Sequence, residues 1–111
     1  MQVNDPSAWS DLEATIWKPI QEARMKDGQL RAWAAYLRLI PSGSREPYSA
    51  LTVDIFPSWD VMWKQKALEP YVKQAHPNMT DQEFAEKTSK ARDLVSREIF
   101  KIILAAGSIS H

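Results

Sequence analysis

Tyr36 and Arg38 stand two residues apart, as do Thr52 and Asp54, each pair inside a run that alternates apolar with other side chains. A spacing of two places both members of a pair on one face of an extended strand. If the two strands are neighbours, the four side chains predict a polar cluster on the open face of a sheet. Arg38 can grip a carboxylate through two parallel hydrogen bonds, Tyr36 can donate another, and Asp54 can orient the arginine or act as a base. The same residues support a structural reading, in which Arg38 and Asp54 form a cross-strand ion pair and Tyr36 packs at an interface. Trp17, Trp33, Trp59 and Trp63 can line an apolar pocket with polar indole edges, although large aromatics at these spacings are also ordinary core.

Other chemistries find little support. The chain has 111 residues, no cysteine, three glycines and two histidines, His76 and His111, far apart in sequence. That excludes thiolate nucleophiles, disulfides and zinc fingers, and it leaves no histidine-rich metal site in one chain. A Walker loop or dinucleotide fingerprint needs closely spaced glycines to admit phosphate, which Gly28, Gly43 and Gly107 do not provide. No Gly-x-Ser-x-Gly elbow presents a serine. No metal or cofactor is therefore expected, and His76 reads as a loop or capping residue. Fourteen basic residues balance fourteen acidic ones, so no electrostatic argument favours nucleic acid or an anionic membrane. No run of 18 apolar residues predicts a membrane span, and residues 1–6 are too polar for a signal peptide, so the chain as given reads as cytoplasmic.

The elements that would position these side chains are set by periodicity. Asp5-Pro6 predicts a helix start, and Trp9, Leu12, Ile16, Ile20 and Ala23 define its buried face, with a kink or local distortion near Trp17-Lys18-Pro19 and an end at Lys26-Asp27-Gly28. Lys18, Glu22 and Arg24 read as its solvated edge. Trp33, Ala35, Leu37 and Leu39 alternate with Ala34, Tyr36 and Arg38, predicting a strand closed by Pro41 and its Ser-Gly-Ser sequel. A second strand is predicted over residues 49–56, antiparallel to the first, with Leu51, Val53 and Ile55 toward the helices and Ala50, Thr52, Asp54 and Phe56 on the open face. Ser58 caps a short helix through Trp59, Met62, Trp63 and Ala67, and Pro70 interrupts that region. Thr80 to Glu83 form a capping box before a helix with Phe84, Thr88, Ala91, Leu94 and Val95 as its stripe. Residues 99–104 read as a last strand, with a helical continuation as the alternative.

Helix, strand, strand, helices and strand make one α+β domain over residues 1–111: an antiparallel sheet with helices on one face. A short first strand around Met1-Gln2-Val3 would complete a ferredoxin-like sandwich. Ile16-Trp17-Lys18-Pro19-Ile20, the strand pair around Ala32-Trp33 and Leu51-Thr52-Val53, and His76-Pro77-Asn78-Met79-Thr80 followed by Lys90-Ala91-Arg92-Asp93-Leu94-Val95 carry a resemblance. The chain resembles uncharacterised ferredoxin-like proteins of the dimeric α/β-barrel type, found mainly in marine and environmental bacteria. Such proteins have a fuller first strand, often behind an export signal, and frequently a histidine where this chain has Gln21.

The resemblance implies a homodimer joined through exposed sheet faces. The residues themselves add the expectation of a binding protein that takes a small apolar or amphipathic molecule, a carboxylate-bearing one among the options, between sheet and helices or at the dimer interface. Trp33, Tyr36 and Arg38 are its foremost expected contacts, joined by Thr52, Asp54 and Trp17, and the reading leans away from an enzyme. The alternatives are a cofactor-free monooxygenase-like enzyme with Asp54 as base, and a structural module of a longer polypeptide.

Overall fold

The computed structural model describes residues 1–40, 48–103 and 106. Asp5 opens the first element as expected: its carboxylate accepts from the backbone N–H groups of Ser7 (3.0 Å) and Ala8 (3.2 Å). Pro6 takes a first-turn position, where a missing N–H costs nothing. Helix α1 (Pro6–Leu12) passes into a π-helical turn (Glu13–Trp17) and continues as α2 (Lys18–Lys26), forming one rod. Of the kink or local distortion expected near Trp17-Lys18-Pro19, the structure has a distortion: a widened turn just upstream of Pro19. Pro19 offers no N–H to the Thr15 carbonyl and crowds it, and the wide turn, in which the Lys18 N–H reaches back to Glu13, absorbs the misfit. Trp9, Leu12 and Ile20 are buried along the expected face, and Gly28, at φ 76°, ends the rod.

Strands β1 (Ala32–Leu37) and β2 (Ala50–Ile55) form a two-stranded antiparallel sheet. Trp33 lies opposite Asp54, Ala35 opposite Thr52 and Leu37 opposite Ala50; the alternate pairs are Ala32 with Ile55, Ala34 with Val53 and Tyr36 with Leu51. Ala50 packs against Met1 and Trp9, and Asp54 reaches Arg24 of α2, so the Ala50–Thr52–Asp54 face is the one turned to the helices. This reverses the expected orientation of β2. A period of two separates the residue sets without saying which turns inward. Here the small Ala50 admits Trp9 and Met1, while Asp54 meets a buried arginine.

Helix α3 (Trp59–Trp63) starts at Ser58, whose Oγ accepts from the Val61 N–H at 3.2 Å, and stops short of Ala67. Pro70 does not interrupt: it sits in the first turn of α4 (Glu69–Ala75), a helix the periodicity did not reveal. Helix α5 (Asp81–Ala91) is capped by Thr80, whose Oγ1 accepts from the Glu83 N–H at 3.1 Å. Phe84, Thr88 and Ala91 are half-buried as expected, but Leu94 and Val95 lie beyond the helix and are exposed.

At the other end of the chain, the Met1 ammonium donates to the Ala50 carbonyl at 2.8 Å, and the Met1 carbonyl accepts from Ser49 and Ala50. Gln2 exchanges backbone hydrogen bonds with Asp93 at 2.9 and 3.0 Å. Residues 99–103 form neither the expected strand nor a helical continuation, and residues 94–98 are likewise irregular; residue 104 of that expected strand, and Pro41 with the Ser-Gly-Ser that follows it, lie outside the described residues. A strand needs a ladder to pair with, and the isolated Gln2–Asp93 bridge supplies one rung.

Two apolar clusters hold these parts. Ile20, Tyr71 and Val72, with Ile16, Ala23, Leu68, Ala75 and Phe84 around them, join the rod to α4 and α5. Met1, Trp9 and Ala50, with Val3, join the rod to the sheet. The architecture is a mixed α+β fold.

Candidate functional site

Of the predicted site residues, Tyr36 and Arg38 stay together at one end of the sheet. Tyr36 is 55% exposed. Arg38 follows β1, its backbone N–H bonded to the Ser49 carbonyl at 2.8 Å. Its Nε donates to the Tyr48 carbonyl at 2.9 Å, and the guanidinium lies 4.2 Å from the Tyr48 ring centroid, a stacked cation–π arrangement. Tyr36, Leu37, Arg38, Tyr48, Ala50 and Leu51 line an open depression of about 210 Å³. It combines apolar walls with two phenols and a positive charge, a lining that suits the acid end of an amphipathic molecule. Small-molecule sites commonly run to roughly 300–1,000 Å³, so this depression accommodates only part of a ligand. Tyr48 escaped the sequence reading because it precedes β2 in irregular chain, where alternation has no meaning; the pairing of Arg38 with Ser49 is what brings it into the site.

Thr52 and Asp54 do not join this cluster, because the register places them on the helix face. The expected Arg38–Asp54 ion pair does not form either. Asp54 stands opposite Trp33, which is half-buried, and its Oδ2 lies 3.5 Å from Nη1 of Arg24. Arg24 is not a solvated residue as expected: it is 6% exposed, and it also donates to Oε1 of Gln21 (2.8 Å) and Oε1 of Gln65 (3.3 Å). The signal was available in the sequence, since Arg24 is four residues from Ile20 and so belongs to the rod's buried face. Gln21, Arg24, Asp54 and Gln65 therefore tie α2 to the sheet and to the chain after α3.

Trp17 does not line a pocket with the other tryptophans but packs against α5 and the residue after it. Its Nε1 donates to Thr88 Oγ1 at 3.2 Å, the Phe84 ring lies 5.0 Å away, and the Arg92 guanidinium sits 4.5 Å from its ring centroid. Trp59 and Trp63 stack on each other instead of lining a pocket with it, their ring centroids 6.2 Å apart on the exposed α3. Arg92 also donates to Oε1 of Glu13 at 2.7 Å, with both side chains largely buried. Glu13 belongs to the π-helical turn; its Oε2 and Nε1 of Trp9 are both buried and short of full hydrogen-bond geometry, although the indole still helps to hold the carboxyl pKa down. Burial pushes the Glu13 carboxyl above its ordinary pKa, against the opposing pull of Arg92.

A second, larger groove of about 420 Å³ runs between α2 and α4, lined by residues that include Lys26, Asp27, Lys66, Tyr71 and Gln74. The Tyr71 hydroxyl donates to Oδ2 of Asp27 at 2.5 Å, and Lys66 Nζ donates to the same oxygen at 3.1 Å. Those two donors hold the Asp27 carboxyl below its usual range. Burial first, and the Asp27 carboxylate second, push the Tyr71 phenol up to about 12. A phenol whose folded pKa exceeds its unfolded value stabilises the fold fully below about pH 10 and loses that contribution as pH rises toward 12. Absorbance at 295 nm is expected to show one phenol ionising near pH 12 together with unfolding, and Tyr71→Phe is expected to remove that step. Complete ionisation near pH 10 with an unchanged far-UV spectrum would contradict the assignment.

His76 closes α4, and its Nε2 lies 2.8 Å from the Ile16 carbonyl oxygen. A carbonyl only accepts, so this nitrogen carries the proton and the ring acts as a tie between helices. Among the described residues no group of three His, Cys, Asp or Glu side chains converges as a metal site, and no helix is long and apolar enough to cross a membrane. No family model, curated protein or solved structure matches the chain.

Proposed function

We propose that the chain is a ferredoxin-like protomer of the dimeric α/β-barrel type. Its homodimer binds a small amphipathic molecule, with a carboxylate or similar anion at the Arg38 end of the sheet. The observation that carries this reading is the depression lined by Tyr36, Arg38 and Tyr48: chemically suited to an anionic amphiphile, yet too shallow to enclose one alone. Tyr36 and Leu37 at its rim, and Leu39 and Ile40 just beyond, are 55%, 39%, 73% and 91% exposed. An apolar rim of this kind favours closure by a second protomer, which would complete the pocket.

The ferredoxin-like assignment draws support from the order in which backbone segments meet. Asp93 bonds Gln2, Met1 bonds Ala50, and β2 pairs with β1, so the chain after α5, the amino-terminal residues, β2 and β1 lie side by side. That is the lateral order of the four strands in a β-α-β-β-α-β sandwich, here with two of them reduced to single contacts. The monooxygenase-like alternative gains no base in the depression, because Asp54 is engaged with Arg24 on the other face.

Native mass spectrometry of the protein as purified from cells is expected to show a dimer carrying a noncovalent adduct. With 1-anilinonaphthalene-8-sulfonate as an anionic amphipathic probe, Arg38→Met is expected to weaken binding about tenfold while leaving the dimer intact. Unchanged probe affinity in that variant, or a ligand-free monomer, would refute the reading.

A further inference from the structure

Residues 94–103 hold the largest concentration of uncovered apolar surface among the described residues. Leu94, Val95, Ile99, Phe100, Ile102 and Ile103 are between 49% and 85% exposed. Among the described residues twelve large apolar side chains are exposed, against nine apolar residues buried, so this part of the protomer by itself leaves much of its apolar surface in water. The segment is also built as a strand: four of its ten residues are β-branched, it lacks glycine and proline, and Ser96, Arg97, Glu98 and Lys101 interrupt its apolar run. Alternation assigns Leu94, Phe100 and Ile102 to one face and Val95, Ile99 and Ile103 to the other, a pattern suited to a strand covered on both sides.

The sheet has a matching open edge. Arg38 bonds Ser49 across the ladder, so the alternate residues of β1, namely Trp33, Ala35 and Leu37, direct their backbone N–H and C=O groups away from β2. Among the described residues these groups meet no backbone partner. The corresponding outer edge of β2 is already occupied at Ala50 by Met1.

We infer that residues 94–103 form an exchanged strand, adding to the outer edge of β1 in a second copy of this chain. This rests on the homodimer proposed above and specifies how it is held. Exposed side chains of the size found in this segment amount to roughly 700 Å² of apolar surface, and a standard interface takes about 800 Å² from each partner. Two reciprocal exchanges would thus account for a stable dimer. They would also place Phe100 and its neighbours beside the Tyr36–Arg38 depression, as the missing cover of that site.

Because the chain has no cysteine, single engineered cysteines report the arrangement cleanly. Protein carrying Ala35→Cys is mixed with protein carrying one cysteine at 97, 98, 99 or 100, and the mixture is oxidised. A disulfide between the two variants at one or more positions is expected, and Phe100→Asp is expected to raise the dimer dissociation constant about 100-fold with the helical far-UV signal retained. A dimer that gives no mixed disulfide and tolerates Phe100→Asp would overturn the exchange while leaving the homodimer standing. A monomer for the unmodified chain in light scattering at micromolar concentration would overturn both.

Discussion

Replacing Arg92 with methionine is expected to lower the free energy of unfolding by about 3–4 kcal/mol near neutral pH, the scale set by breaking one side of a buried ion pair. The Glu13 side chain is 4% exposed and Arg92 16%, so neither charge can turn to water without moving the seam between the rod and α5. Arg92 bonds one carboxylate oxygen and its guanidinium covers the Trp17 ring; the second oxygen is buried with at most a poorly aligned contact to the Trp9 indole. Removing the guanidinium leaves a buried anion with only the Trp9 indole to offset its desolvation.

The pH dependence separates this account from simple loss of packing. Burial raises the Glu13 pKa, so the folded chain retains a proton at pH values where the unfolded chain has lost it. Its contribution to stability is therefore most favourable below the unfolded carboxyl value and declines as pH rises through the folded one. Without Arg92 the folded pKa rises further, so the deficit of Arg92→Met is expected to shrink on acidification toward about pH 4.5, near the ordinary carboxyl value. Adding Glu13→Gln to that variant should recover much of the lost stability in urea denaturation. A deficit independent of pH and untouched by Glu13→Gln would show that Arg92 acts through its contact with Trp17.

Local signals in this chain were legible because each is a short-range physical need. Asp5 and Thr80 cap helices since exposed N–H groups require acceptors, and Gly28 ends the rod where a positive φ is needed. The strand pair was equally legible from alternation. What alternation cannot supply is a choice between two equivalent faces, and that choice split Tyr36 and Arg38 from Thr52 and Asp54. Pro70 reads as a breaker because proline ends helices more visibly than it begins them, yet it stands in the first turn of α4. Arg24 reads as solvated when residue type outweighs position, and so does Glu13, although both lie on the stripe through Trp9 and Ile20. Residues 99–103 carry strand composition but meet no ladder within the protomer, so here composition and local structure part company.

Ile20→Ala is expected to cost about 3–4 kcal/mol, the range for truncating a fully enclosed aliphatic side chain without collapse of the cavity. Ile20 is 0% exposed and lies one residue beyond Pro19, at the centre of the cluster that joins the rod to Tyr71 and Val72 of α4. A domain of this size has only about 5–15 kcal/mol to lose. The widened turn at Glu13–Trp17 fixes the rotation of α2, and the Tyr71–Asp27 bond and the His76 tie to Ile16 fix α4, so neighbouring side chains have little freedom to fill the void. Because Ile20 belongs to the helical cluster and the proposed dimer contacts lie on the sheet and residues 94–103, its loss should be additive with that of Phe100→Asp in denaturation at fixed protein concentration. Strong non-additivity would instead mean that docking of the second copy organises the helical core as well, making the folded protomer inseparable from its dimer.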